Sequence, residues 1–218
     1  MPRSKRLIKA AVALVACAVL ALLFWRSVHE TRAEPYHLQA TDLDQFVLEL
    51  QEASRPSDAY LALRAPMSVI KDLSDQLFKR VMESMHAPGN PAIPLLLKGE
   101  FDRAFAGRVS GEQLLAAARS AGLDKLSLHP RCLGYRRVSD TSATEQLYFV
   151  IFDAPQLEQF RAQLRTVLGG DGTTVAAYDP AAMSPVLLVS SATAMFSQWI
   201  PLQAHPDGDC VAPIVVVR

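Results

Sequence analysis

The sequence has few cysteines and none of the short motifs that mark a metal-binding or cofactor-dependent protein. Its three cysteines form no C-x-x-C pair and its five histidines show no ligand spacing, which excludes the common zinc frameworks. A P-loop, a dinucleotide fingerprint and a G-x-S-x-G elbow are also absent, which excludes the usual nucleotide-dependent and α/β-hydrolase chemistries. We therefore expect no metal and no cofactor, and a non-enzymatic role is favoured.

Neither sign of charge is in excess over the whole chain, which has 22 Lys/Arg and 22 Asp/Glu, but the charges are unevenly distributed. Residues 1–33 carry six Lys/Arg and one acid, which gives a net charge of +5. Residues 34–218 carry sixteen Lys/Arg and twenty-one acids, which gives a net charge of −5. A mildly acidic domain repels the phosphate backbone, so we exclude nucleic acid as a partner. The sixteen arginines, six lysines and single asparagine are typical of a GC-rich bacterial genome.

Residues 10–25 form an uncharged apolar run behind a basic tail, residues 1–9. As a helix this run spans about 24 Å, at the short end for a hydrocarbon core of about 30 Å. Trp25 suits the far water–lipid boundary, and the positive charges before the run favour a cytoplasmic N-terminus. The sequence predicts an uncleaved transmembrane signal anchor in the bacterial inner membrane, with the C-terminal domain outside the cytoplasm.

Two other interpretations of this segment stay open. A cleaved signal peptide also has a basic start and an apolar centre, but no A-x-A site follows, and Ala33 is the nearest small residue in a suitable place. Residues 14–17, which end at Cys17, resemble the lipobox of bacterial lipoproteins, in which the cysteine is acylated. The sequence departs from that pattern because residues 18–25 are still apolar.

Cys132 and Cys210 have one possible intramolecular pairing if the domain lies outside the cytoplasm, where disulfides persist. A bridge closing a loop of roughly 80 residues would stabilise the fold by about 4.5 kcal/mol in the chain-entropy model. Both cysteines lie beside predicted strands, so we expect a disulfide. Two unpaired buried thiols are the alternative.

Patterning predicts an α+β fold with a juxtamembrane linker (26–40), a helical region (41–122) and an α+β region (123–218), the last two possibly forming one domain. Apolar periodicity, capping signals and breakers predict helices over residues 41–50, 57–63, 67–86, 95–109 and 110–122, with a Pro-rich loop at 87–94.

The α+β region begins with a predicted hairpin, residues 126–138 and 146–152, joined by a turn at 140–144. A helix then starts at residues 153–155 and has a core face of Leu157, Phe160, Leu164 and Val167/Leu168. Further strands are predicted at 173–178, 186–190 and 214–217, the last buried on both faces because it is a β-branched run. The expected order is β-β-α-β-β-β, a mixed or antiparallel sheet with one helix on its face.

Ser68 and Lys71 have the S-x-x-K spacing of penicillin-binding proteins and serine β-lactamases. Residues three apart lie on one helix face, so the lysine amine can reach the serine hydroxyl and act as its base. The S-x-N and K-T-G elements that complete such sites are absent. The pair is therefore a weak catalytic candidate, and the simpler interpretation is a serine at a helix start beside a solvated lysine.

Two further polar groupings have a functional and a simpler interpretation. Residues 205–210 gather a histidine, two acids and Cys210, as a metal-binding loop does, but Pro-Asp-Gly favours an ordinary turn. Arg136 and Arg137 suit a phosphate or an acidic partner, but more simply form an exposed strand face that discourages edge pairing.

The sequence thus favours a single-pass envelope protein whose extracytoplasmic domain binds a protein partner or envelope component. One alternative is an extracytoplasmic hydrolase or transferase with dispersed active-site residues. Another is a small-molecule or lipid carrier with a cavity between the helical part and the sheet. The sequence indicates no oligomeric state.

Overall fold

The structure, a computed structural model, describes residues 14–23, 34–139, 144–167, 178–193 and 202–218. The chain divides into two compact units, Met1–Glu34 and Pro35–Arg218. In the first unit, residues 14–23 are helical and exposed. Within the described ranges, no helix is both long enough and apolar enough to cross a membrane. Residues 10–13, 24 and 25 lie outside those ranges, and the transmembrane span stays a prediction.

The second unit, hereafter the main unit, is α+β as predicted, and its described residues form a curled mixed sheet and a smaller antiparallel sheet. The large sheet contains β1 (Tyr36–Gln39), β5 (Pro130–Ser139), β6 (Thr144–Phe152), β7 (Val186–Ser191) and β8 (Cys210–Val217). The small sheet contains β2 (Val47–Leu50), β3 (Ala59–Arg64) and β4 (Ala92–Leu97), in that order. The large sheet has the order β1-β8-β5-β6-β7, in which the β1–β8 pair is parallel and the others are antiparallel.

Helices and one 3-10 turn connect these strands. They are α1 (Ala40–Leu43), α2 (Met67–Val81), α3 (Lys98–Ala104), α4 (Gly111–Ser120), the 3-10 turn Leu123–Lys125, α5 (Pro155–Val167) and α6 (Pro206–Asp209). The predicted start of α4 is confirmed, because Ser110 Oγ accepts from the Gln113 N–H at 3.2 Å while Gln113 Oε1 accepts from the Ser110 N–H at 2.9 Å. The predicted helix 67–86 ends earlier, at Val81.

The predicted hairpin is also confirmed, with Leu133 opposite Val150 in the β5–β6 pair. Helix α5 follows it and buries Leu157, Phe160 and Leu164 as expected. Strand β7 occupies the predicted segment 186–190. The predicted turn at 140–144 and strand at 173–178 lie almost wholly outside the described residues.

Three segments of the predicted helical region are strands. Residues 47–50 pair with β3, Leu48 opposite Leu63, so the helix predicted over 41–50 is wrong beyond Leu43. The helix predicted over 57–63 is wrong because most of that segment is β3 itself. Short apolar runs fit both helical and strand periods, and here pairing between distant segments decided the outcome.

The third correction concerns the Pro-rich loop and the helix predicted from residue 95. Strand β4 begins at Ala92 and runs through Pro94, which lies opposite Ala62 of β3. An end strand needs ladder hydrogen bonds on one side only, so it tolerates a proline. The helix after it, α3, begins at Lys98 and ends at Ala104, so the predicted helix over 95–109 was wrong over residues 95–97 and 105–109.

One continuous apolar core joins both sheets with α2, α3, α4 and α5. A second cluster covers the other face of β5, β6 and β7 and includes Phe149, Leu188 and Leu202. Strand β8 buries Ala212 and Ile214 but exposes Val211 and Val215, so the expectation that it is buried on both faces is wrong. Its first half pairs with β5 and its second half with β1, and neither pairing covers both faces.

In each end strand of the large sheet, backbone groups on the outer edge form hydrogen bonds to another part of the same chain. The His37 N–H of β1 donates to Gln76 Oε1 at 2.8 Å, and Gln76 Nε2 donates to the His37 carbonyl at 2.8 Å. At the other end, the His86 and Ser191 backbones exchange hydrogen bonds of 2.8 and 2.9 Å. The Gln76 amide therefore occupies the place that a further strand would take beside β1.

Candidate functional site

Ser68 and Lys71 do not form a nucleophile–base pair in this structure. Ser68 Oγ, in the first turn of α2, donates to Asp42 Oδ1 at 2.8 Å. Asp42 belongs to α1 and is largely buried, so this bond joins the two helices. Lys71 is exposed and shows no hydrogen bond or ion pair to any residue in the described ranges. The geometry gives Ser68 a structural contact.

Cys132 of β5 and Cys210 of β8 form the predicted disulfide, with Cα atoms 5.7 Å apart across a sequence separation of 78 residues. The two strands are neighbours in the large sheet, and Cys132 lies opposite Pro213 in their ladder. The bridge therefore cross-links adjacent strands where β8 begins.

Arg136 is held beside this bridge, which corrects the expectation that it lies on an exposed strand face. Its Nε and Nη2 atoms donate to the Asp209 carboxylate at 3.3 and 2.5 Å, and Nη2 also donates to the Gln203 carbonyl at 2.8 Å. The same carboxylate accepts from the His205 N–H at 2.7 Å. A bidentate pair of this kind fixes orientation as well as charge. Within the predicted turn at 205–210, residues 206–209 form the short helix α6. Asp209 of this helix pairs with Arg136 of β5 rather than with an ion.

A buried ion pair joins helices α5 and α3. Arg161 has 1% of its side chain exposed and Glu100 has 6%. Arg161 Nη2 donates to Glu100 Oε1 at 3.0 Å and Nη1 donates to Glu100 Oε2 at 3.3 Å. Glu100 Oε2 also accepts from the Leu97 N–H at 2.8 Å. Each charge is therefore compensated inside the core, as burial requires.

The other Arg161 contacts are backbone carbonyls. Nη1 donates to the Leu95 carbonyl at 2.7 Å, Nη2 to that of Asp179 at 3.3 Å, and Nε to that of Pro180 at 3.0 Å. All five N–H groups of the guanidinium thus have acceptors. Arg161 connects α5 to β4, to α3 and to the segment that precedes β7.

The sequence contains one signal for this cluster, an arginine at a core position of a predicted helix. Residues 157, 160, 161 and 164 of α5 follow the i, i+3, i+4, i+7 pattern of a buried helix face. Arg161 therefore occupies a core position, where an arginine requires a buried acceptor. The identity of that acceptor, 61 residues away, could not be read from the spacing.

Tyr178 lies against the same cluster and has no hydrogen-bond partner for its hydroxyl among the described residues. Its ring packs on Phe105 at a centroid distance of 5.3 Å, and the Arg161 guanidinium carbon lies 5.5 Å from its ring centroid. Burial raises the pKa of the Tyr178 hydroxyl, although the positive charge of Arg161 lowers it. The phenol is therefore neutral near pH 7 and is not a base.

Two small cavities are formed by described residues. One, of about 160 Å³, lies between Phe46, Leu63 and the segment around Lys125. The other, of about 150 Å³, lies at the start of α5 and is bordered by Arg131, Asp153 and other residues. Typical small-molecule sites measure about 300 to 1,000 Å³. Neither cavity has the volume that the carrier hypothesis requires.

Exposed apolar side chains form the remaining candidate site. Val211, Pro213 and Val215 of β8 point to one face of the sheet, hereafter the β8 face, which is exposed at all three. Val215 lies opposite His37 of β1, which is also exposed. Val211 is 41% exposed and Val215 is 42% exposed, so both side chains are accessible to another molecule.

The buried polar clusters described above hold elements of the fold together, and the β8 face is one exposed apolar part of the described surface. Comparisons of the chain with protein-family models, with curated proteins and with solved structures found no match.

Proposed function

We propose that this protein is a single-pass, membrane-anchored protein of the bacterial envelope. Its main unit lies outside the cytoplasm and binds a protein partner without catalysing a reaction. The apolar run at residues 10–25 and the net charge of +5 over residues 1–33 support the anchor and its orientation. The Cys132–Cys210 disulfide is compatible with an oxidising compartment.

The observation that carries the binding proposal is the β8 face. Val211 follows the disulfide in the half of the strand that pairs with β5, and Val215 lies in the half that pairs with β1, so the surface is formed by paired strand residues before any partner arrives. A preformed apolar surface loses little conformational entropy on binding. In contrast, the charged groups Arg136 and Asp209 are already paired within the domain.

Site-specific photo-crosslinking tests the binding proposal in intact cells. A crosslinking residue replaces Val215, which is 42% exposed, and in a second variant replaces Val47 of the small sheet, which is 44% exposed and serves as the matched control. We expect a discrete adduct to a protein from position 215 and none from position 47. Equal labelling from both positions, or none from 215, contradicts the proposal.

The anchor and the orientation have a separate test. We expect the chain to remain with the membrane fraction after alkaline carbonate extraction, with residues 35–218 digested by protease added to spheroplasts. A variant in which Leu14 and Leu20 are replaced by arginine should lose membrane association. Protection of the main unit from external protease contradicts the orientation.

A further inference from the structure

Helix α2 exposes three large apolar side chains on its outward face. Met67 is 52% exposed, Phe78 55% and Met82, the residue directly after the helix, 76%. Phe78 is 11 residues beyond Met67, about three helical turns, and Met82 follows Phe78 by four residues, about one turn, so the three lie on the same side of the helix. The inward face already buries Val69, Ile70, Leu73 and Leu77, whereas the outward side chains stay exposed.

Met82 occupies a backbone conformation that does not suit methionine. Its φ of 57° makes it the one non-glycine residue with positive φ in the described part of the chain. Glycine is favoured at this position after a helix, because a Cβ in the left-handed region is strained. The side chain is three-quarters exposed, so packing within the domain does not offset the strain.

The same end of α2 holds the beginning of the main unit. Arg80 Nη2 donates to the Pro35 carbonyl at 2.7 Å, and the Arg80 guanidinium carbon lies 3.9 Å from the ring centroid of Tyr36. Pro35 follows the end of the proposed anchor, Trp25, by ten residues. Ten residues of any conformation reach at most about 36 Å, so in a chain anchored by residues 10–25 Pro35 lies within that distance of Trp25.

We propose that Phe78 and Met82 contact the lipid surface of the membrane in which residues 10–25 are anchored. This inference rests on the anchor proposed above. The exposed charges on α2 and directly after Met82 are Lys71, Lys79, Asp75 and Glu83, two of each sign. The contact is therefore apolar rather than electrostatic and has the same strength in neutral and anionic lipid. Apolar side chains at such a surface enter the boundary between headgroups and acyl chains.

Spin labelling of the full-length chain in phosphatidylcholine vesicles tests this contact. Cys17→Ser removes the free thiol, the disulfide is kept oxidised, and a nitroxide is attached through Met82→Cys or Phe78→Cys. Val47→Cys is the control, because Val47 is exposed on the small sheet. Collision with oxygen, which partitions into lipid, is compared with collision with an aqueous nickel chelate. We expect oxygen to be favoured at 78 and 82 and the chelate at 47, unchanged when phosphatidylglycerol is added.

The possible outcomes separate this inference from the anchor. A chain that floats with the vesicles but shows position 82 as open to the chelate as position 47 overturns the lipid contact and leaves the anchor intact. A chain that stays out of the vesicles overturns both. Dipolar broadening at 82 that disappears on dilution with unlabelled chain shows a second copy on this face and also overturns the lipid contact.

Discussion

Replacing Arg161 by methionine tests whether the buried ion pair holds the core together. Methionine keeps much of the aliphatic volume but removes both Arg161 donors to Glu100, whose side chain is 6% exposed and keeps only the Leu97 N–H as a donor among the described residues. Leaving one charge of a buried pair without its partner costs about 3 to 5 kcal/mol. The carbonyls of Leu95, Asp179 and Pro180 lose a donor as well. A loss of this size is a large share of a typical stability of about 5 to 15 kcal/mol.

Urea unfolding of the full-length chain in detergent, followed by circular dichroism, measures this loss. Arg165→Met is the matched control, because Arg165 is exposed on the same helix and should change stability by less than about 0.5 kcal/mol. Adding Glu100→Gln to Arg161→Met should recover at least about 1 kcal/mol relative to the sum of the single variants, since the unpaired charge is gone. A loss below about 1 kcal/mol in Arg161→Met, or additive effects, would refute the reasoning.

Four further changes have expected outcomes. Replacing Cys132 and Cys210 by alanine should cost about 4 to 5 kcal/mol, since the bridge spans 78 residues, and thermal unfolding with and without reductant measures it. Met82→Gly relieves the left-handed strain and should raise the unfolding free energy by about 1 kcal/mol. Burial raises the pKa of Tyr178, so only the unfolded state loses this proton as the pH rises above about 10. Stability should then fall, less so in Tyr178→Phe, as urea titrations at pH 8 and 11 would show. Gln76→Ala frees the outer edge of β1, and light scattering should detect concentration-dependent association.

The elements that the sequence predicted correctly are those specified by neighbouring residues. Helix α4 starts at a capping box formed within four residues, and α5 starts at Pro155 with three apolar residues at helical spacing. The β5–β6 hairpin joins strands that are adjacent in sequence. Local signals of this kind do not depend on the rest of the fold, so one sequence suffices to read them.

The missed elements depend on contacts between distant residues. Leu48 and Leu50 of β2 suit either a helix face or a strand face, and pairing with β3 selected the strand. The disulfide was predictable because Cys132 had one possible partner in the main unit. The Arg161–Glu100 pair was not, because 61 residues separate its members and many acids compete for the role in a sequence.

The hydrogen bonds at the two outer edges of the large sheet affect how a partner can bind. Adding a strand beside β1 would break both Gln76 hydrogen bonds to His37, and adding one beside β7 at Ser191 would displace His86. Each broken bond gives up about 1 kcal/mol of net stability, which the new ladder must first recover. A partner that packs on Val211 and Val215 breaks no hydrogen bond of the domain and removes apolar surface from water. Side-chain packing on the β8 face is therefore the lower-cost mode of binding, and substitutions at those valines will affect it more than changes at the strand edges.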